Sequence, residues 1–176
     1  MIETDRLILR PWRETDVAPF AAMGRDPDVM AFIGPLLDEA GTRAAIERQQ
    51  RFQAQFGYCF WAIERCEDGA FLGFCGLKPG AKGTPIEEAV EIGWRLARHA
   101  WGQGIAREGA AASLDWAWAN GIDRVAAITV PANVRSWGLM ERLGMRRQVD
   151  LDFSHPALAP DDPLSIHIVY AIDRPG

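Results

Sequence analysis

Apolar and polar positions along this chain switch between a period of two and a period near four, which predicts strands alternating with helices. Residues 6–12 (RLILRPW) alternate and stop at Pro11, as an opening strand does. Thr15 and Asp16 offer N-cap chemistry for a helix over 15–24, with Pro19 confined to its first turn. Pro27 and Pro35 bracket a short helical piece over 28–33. Asp38 opens the next helix and Gly57 closes it, with Ile46, Phe52 and Phe56 forming its apolar stripe. The period then shortens: 58–65 and 71–78 read as a hairpin around Glu67, Asp68 and Gly69, and 79–88 is a long loop. Over 89–96, Val90, Ile92, Trp94 and Leu96 share one face of a strand, and Glu91, Gly93 and Arg95 share the other. A helix over 107–120 sets Ala110, Leu114, Ala117 and Trp118 against a solvated side bearing Glu108 and Asp115. A strand over 124–130, a helix over 133–143 ended by Gly144, and strands over 146–152 and 165–173 complete the chain. A loop with Pro156, Pro160 and Pro163 separates the last two. The sum is a mixed α/β arrangement, expected to form one domain over 1–176.

Composition narrows the function classes. At 176 residues, 48% hydrophobic and 24% charged, the chain has enough apolar surface for a core of its own. A net charge of −5 without a lysine/arginine block argues against a nucleic-acid partner. No apolar stretch approaches the ~20 residues of a membrane span, and the first residues have no leader-like pattern, so a cytoplasmic protein is expected. Cys59, Cys66 and Cys75 show no C-x-x-C spacing, and neither disulfide nor metal site is expected.

The strongest local signal is Trp101, Gly102, Gln103, Gly104, Ile105 and Ala106, between a strand and a helix. Glycines one residue apart let the backbone curl closely round a ligand, and the following helix aims its free N–H groups and positive dipole end into the curl. Such a turn suits a phosphate or pyrophosphate. It lacks the third glycine of a dinucleotide fingerprint and the Gly-Lys-Ser/Thr of a P-loop. A second constellation follows the 124–130 strand, where Asn133 and Ser136 open a helix that runs to Glu141, Arg142, Leu143 and Gly144. Both residues are also good N-cap residues.

Four segments in order, TDRLILRPW, EIGWRL, WGQGIAREG and NVRSWGLMERLGM, resemble the GNAT superfamily of N-acetyltransferases, and within it the RimJ/RimL-like branch. The resemblance spans nearly the whole chain. It implies a central mixed, largely antiparallel sheet with helices on both faces, whose strands 89–96 and 124–130 splay apart. It also implies that acetyl-CoA enters the gap, its pantetheine arm pairing with the strand around Trp94, Arg95 and Leu96. Its pyrophosphate would rest on the backbone of residues 101–106, and Asn133 and Ser136 would contact the pantetheine. A side chain at position 104 would collide with the phosphate or distort the turn. Many relatives carry a tyrosine four residues past Ser136 that protonates the departing thiolate. Met140 stands there, which leaves Ser136 or a water, and a CoA thiol with a pKa near ~8.5 leaves without strong help.

The acceptor implied is a primary amine, either a protein N-terminus or a small molecule. It must lose a proton to attack, so a carboxylate base is wanted; Glu91 fits that place, and a backbone N–H near Trp94 to Leu96 would hold developing negative charge. Glu91 also reads as a solvated strand residue or as a partner of Arg95. Asp152 and His155, in the loop before the last strand, read either as acceptor-binding groups or as a polar surface turn. The exposed strands and tryptophans admit a homodimer. An alternative reading is a non-catalytic CoA-binding module of the same fold.

Overall fold

The structure is a computed structural model describing residues 1–176. Its strands are β1 (Ile2–Glu3), β2 (Leu7–Arg10), β3 (Phe60–Arg65), β4 (Phe71–Pro79), β5 (Val90–Leu96), β6 (Arg124–Thr129), β7 (Arg146–Arg147), β8 (Phe153–Ser154) and β9 (Ile166–Asp173). The helices are α1 (Val17–Gly24), α2 (Pro27–Met30), α3 (Glu39–Phe56), α4 (Ile105–Ala119) and α5 (Val134–Arg142). The strands form one sheet in the order β1-β2-β3-β4-β5-β6-β9-β7, with β8 added alongside β9. Every pairing is antiparallel except β5 with β6. The expected mixed α/β sheet flanked by helices is therefore present.

Alternation along the strands sorts the core into two faces. One face carries Trp61, Ile63, Cys75, Ile92 and Trp94 toward α4, where Trp116 meets Trp61 edge-on at 5.3 Å and Gly109 rides directly over Cys75. The other carries Phe60, Phe74, Gly93 and Arg95 toward α1 and α3. Gly93 is needed there, since a Cβ would sit 2.7 Å from Cζ of Phe60. Asp38 caps α3 through Gly41 N–H, and Gly57 ends it at φ +81°, both as its sequence predicts. Its buried stripe runs through Thr42, Ile46 and Gln49, while Phe56 is exposed. Polar groups complete the seam: Gln49 Oε1 accepts from Phe60 N–H and Gln53 Oε1 from the Trp61 indole.

Four local expectations need correction. Asp16 does not cap α1 with its side chain; it turns inward to Arg10, at 2.8 and 2.9 Å. The short helix begins one residue early, at Pro27, because Asp26 caps it, and it makes a single turn. Glu108 is no free surface group: it accepts hydrogen bonds from Thr4 Oγ1 and from Arg6 N and Nε, fastening α4 to the N-terminal strands. The strand expected over 146–152 is only two residues long before a 3-10 turn at Val149–Leu151, which leaves Val149 and Leu151 exposed. Pairing with β9 resumes at Phe153, so the apolar alternation there faces solvent rather than a core.

Candidate active site

The parallel pair is where the sheet opens. Strands β5 and β6 are in register only at Val90 with Val125 and Glu91 with Ala126, although both strands continue beyond. On its other side β5 stays paired with β4 up to Leu96. The Ala89 carbonyl accepts from Gly80 N–H, and Ala97 N–H donates to the Leu72 carbonyl. Backbone groups of the odd-numbered residues of β5 therefore face β4, and those of Ile92, Trp94 and Leu96 face the gap. Arg95 thus leaves the backbone edge expected of it: its peptide faces β4 and its side chain faces α1 and α3. The Leu96 carbonyl is already taken by the Trp101 indole N–H at 3.0 Å, which leaves its amide toward the gap.

Two helices begin at this open end, as parallel strands in an α/β sheet arrange. Gly102 and Gly104 have φ of +74° and +78°, and Gly104 is the N-cap residue of α4. Left-handed backbone strains any residue with a Cβ, which is why the turn is written with glycine. The backbone N–H groups of Gly102, Gln103, Gly104, Ile105, Ala106 and Arg107 donate to no other protein group; the first helical bond is Glu108 N–H to the Gly104 carbonyl. Arg6 braces the turn from below, donating to the Gln103 carbonyl at 3.0 Å, and Gln103 Nε2 donates to the His99 carbonyl at 2.6 Å. At the second helix, Asn133 Oδ1 accepts from Ser136 N–H at 3.4 Å, so Asn133 does cap α5. Its amide NH2 and the Ser136 hydroxyl make no hydrogen bond within the protein. The Arg135 guanidinium stacks 4.8 Å from the Trp101 ring and ties the two helix starts together. That contact was not foreseen, because each residue looks solvent-facing in its own segment.

Glu91 sits where the two strands part, on the face toward α1 and α3. It is only 8% exposed and forms a tight ion pair with Lys78, its neighbour across β4. Burial holds its carboxyl above the ordinary range, partly offset by the charge and hydrogen bond of Lys78. The reading of Glu91 as a partner of Arg95 does not hold. Alternation alone could have paired Glu91 with Lys78 once the register of β4 and β5 was known. His155 lies close enough to Glu91 and Lys78 to feel both charges, and its ring packs 4.9 Å from His167 on β9. Burial pushes both histidines below their usual value. Asp152, by contrast, is exposed and bound to Arg147 at 2.6 Å. Met140 is buried in the core, and the Tyr170 hydroxyl donates to Glu141.

The remaining large feature on this face is a cavity of about 440 Å³ under α1, α2 and α3, which runs from Lys78 to Arg95 past Phe60 and Phe74. No helix of the chain is long and apolar enough to cross a membrane.

Comparison with known proteins agrees with this geometry. The family model for the acetyltransferase (GNAT) domain matches residues 6–146. The chain is 35% identical over 144 residues to the uncharacterized protein YkkB of Bacillus subtilis, covering 81% of this chain and 83% of the relative. An acetyltransferase from Agrobacterium tumefaciens superposes with a TM-score of 0.80 at 25% identity, covering 98% of this chain and 94% of that one. RimL, a ribosomal L7/L12 alpha-N-protein acetyltransferase solved with coenzyme A, shares the fold with a TM-score of 0.76 at 20% identity, covering 97% and 95%. A sheet opened between two parallel strands, with a glycine turn at its mouth and a family match over most of its length, makes this chain a member of the GNAT acetyltransferase family.

Proposed function

We propose that residues 1–176 form one N-acetyltransferase domain that moves an acetyl group from acetyl-CoA to a primary amine by direct attack in a ternary complex. The observation that carries this is the row of unpartnered N–H groups at 102–107 beside the open edge of β5, with a buried carboxylate at the base of the gap. Acetyl-CoA supplies an activated thioester. Its pyrophosphate suits the turn of Trp101, Gly102, Gln103, Gly104, Ile105 and Ala106, where helix N-terminal amides favour an anion. Its pantetheine suits the gap-facing amides of Trp94 and Leu96, with Asn133 Nδ2 free on the opposite wall. The coenzyme A bound to RimL supports this reading by analogy of fold.

Glu91 is the proposed general base. Burial raises its pKa while the charge and hydrogen bond of Lys78 oppose that rise, which suits a carboxylate that takes up a proton from an amine. The Trp94 amide is the proposed donor to the carbonyl oxygen as charge develops on it. Ser136 is the proposed proton source for the leaving thiolate, as Met140 replaces the usual tyrosine. An acyl-enzyme is not called for: burial pushes the Cys59 and Cys75 thiols up to about 12, far from a reactive thiolate. His155, within reach of Glu91, is proposed to border the acceptor, whereas Asp152 keeps to Arg147 and is proposed only to hold that loop. The four signpost segments support assignment to the RimJ/RimL-like branch.

Calorimetric titration with acetyl-CoA tests the cofactor site, with Gly104→Glu as the comparison. Micromolar binding in the wild type and none in the folded variant is expected; absence of binding to the folded wild type refutes the proposal. Glu91→Gln should then lower kcat by roughly 10²–10⁴-fold with acetyl-CoA affinity retained. In the wild type the acid limb of the rate should fall as pH drops through the raised Glu91 value, and the variant should lack that limb. Retained affinity with no turnover on any amine would favour the CoA-binding module instead.

A further inference from the structure

Arg95 Nε is the one buried side-chain nitrogen or oxygen in the protein without a hydrogen-bond partner. Its guanidinium lies 5.3 Å from the Phe74 ring and 5.9 Å from the Phe20 ring, and its Nη1 approaches only the Met30 sulfur, at 3.4 Å. Aromatic faces and a thioether attract a cation, but they do not replace a carboxylate. Burial and the nearby charge of Arg48 push the Arg95 pKa down to about 10, so it remains charged at neutral pH.

The cavity beside it is unusual for a protein of net charge −5. Its lining includes Arg48, Lys78 and Arg95 and contains no aspartate or glutamate. Lys78 is satisfied by Glu91; Arg95 and Arg48 have no acidic partner. Between the two ends the floor is apolar, with Phe60 and Phe74 stacked at 5.3 Å and 9°. The register sets the length: Lys78 lies opposite Glu91 and Phe74 opposite Arg95, four residues further along. At the rise of a strand that separation is about 13 Å. The volume, about 440 Å³, matches a small molecule rather than a folded protein surface.

We propose that this cavity is the acceptor site and that it selects a small primary amine carrying a carboxylate at the far end of an apolar or aromatic body. The amine lies at the end of the cavity where Lys78 pairs with Glu91, and the carboxylate accepts hydrogen bonds from Arg95, with Arg48 adding charge. This assignment rests on the acetyltransferase reading and deepens it. It gives the unpartnered guanidinium its missing anion.

The test compares straight-chain and phenyl-containing ω-amino acids with their carboxamides, as acceptors for the wild type and for Arg95→Gln. A charge-assisted hydrogen bond predicts that wild type favours the carboxylate in kcat/KM by roughly tenfold to a hundredfold at a preferred length. In Arg95→Gln the ratio should fall to near one, and in Arg48→Gln only partway. Equal use of acid and amide by the wild type, or a ratio that survives in Arg95→Gln, overturns the proposal. A second measurement needs no turnover: phenylalkanoates, which lack the amine, should raise the melting temperature of the wild type but not of Arg95→Gln. If no amine is acetylated yet the phenylalkanoate shift appears and depends on Arg95, the pocket stands and the transfer reading fails. If amides are acetylated as well as acids and no shift appears, the transfer reading stands and the pocket assignment fails. Should Arg95→Gln not fold, Arg48→Gln at the exposed end of the cavity carries the same comparison.

Discussion

Arg10 and Arg95 lie in one row across the sheet: Arg10 pairs with Ala62, Ala62 with Phe74 and Phe74 with Arg95. Both turn their guanidinium groups under the same layer of helices. Arg10 is 3% exposed and is met by Asp16 on two nitrogens and by Glu64 on the third, at 2.6 Å. Those carboxylates hold its pKa above even the usual arginine value. Arg95 receives two phenyl rings and a sulfur, and its pKa moves the opposite way. Both guanidinium groups lose water, but carboxylates outweigh that loss at Arg10, whereas at Arg95 burial dominates. A charge compensated within the chain belongs to the fold. One left uncompensated beside a cavity is held ready for something outside the chain.

The contrast predicts unequal consequences for unequal substitutions. The largest effect belongs to Asp16→Ala, which leaves two nitrogens of a buried cation without their carboxylate and should lower unfolding free energy by about 3–5 kcal/mol in urea denaturation. Arg95→Met should change it by no more than about 1 kcal/mol, since the lost cation–π contact and the relieved desolvation oppose each other. It should nevertheless abolish carboxylate preference. A loss near that of Asp16→Ala would mean that Arg95 is structural and would erase the distinction.

The same face carries His155 and His167, which offers a pH test. Burial lowers both below their ordinary value of 6.5, so the unfolded chain binds more protons than the folded one just below that pH. Their contribution is therefore complete above about pH 6.5 and is lost as pH falls through it toward the folded values. Melting temperature should decline over that window, and His155→Gln with His167→Gln should flatten the decline. An unaltered slope would mean the acceptor face is open to water. The smallest effect is expected for an exposed arginine: Arg124→Ala, which loses a surface pair with Asp173 and a 3.3 Å hydrogen bond to Gln148, should shift stability by less than about 1 kcal/mol.

Much of this was legible one residue at a time. The alternation over 89–96 placed Glu91, Gly93 and Arg95 on one face, where they are found. Asp38 and Gly57 marked α3 because capping is local chemistry. Gly102 and Gly104 announced a left-handed turn because few other residues tolerate one. Where the local sequence misleads, the partner is remote. Asp16 read as a cap because its bond to Arg10 needs β2 folded against the start of α1. Glu108 read as solvated because Thr4 and Arg6 are about a hundred positions away in the chain. Val149 and Leu151 alternate like a strand, but the edge of β9 pairs with the chain only before and after them.

The sequence by itself therefore determined most of the elements, the glycine turn at the head of α4 and the family, because these depend on periodicity, backbone sterics and contiguous motifs. Only the tertiary structure decided what each charge meets. It brought Lys78 to Glu91, left Arg95 without a carboxylate and gathered His155 to the same face. Long-range electrostatics depends on register and burial, and neither is written in any single segment of the chain.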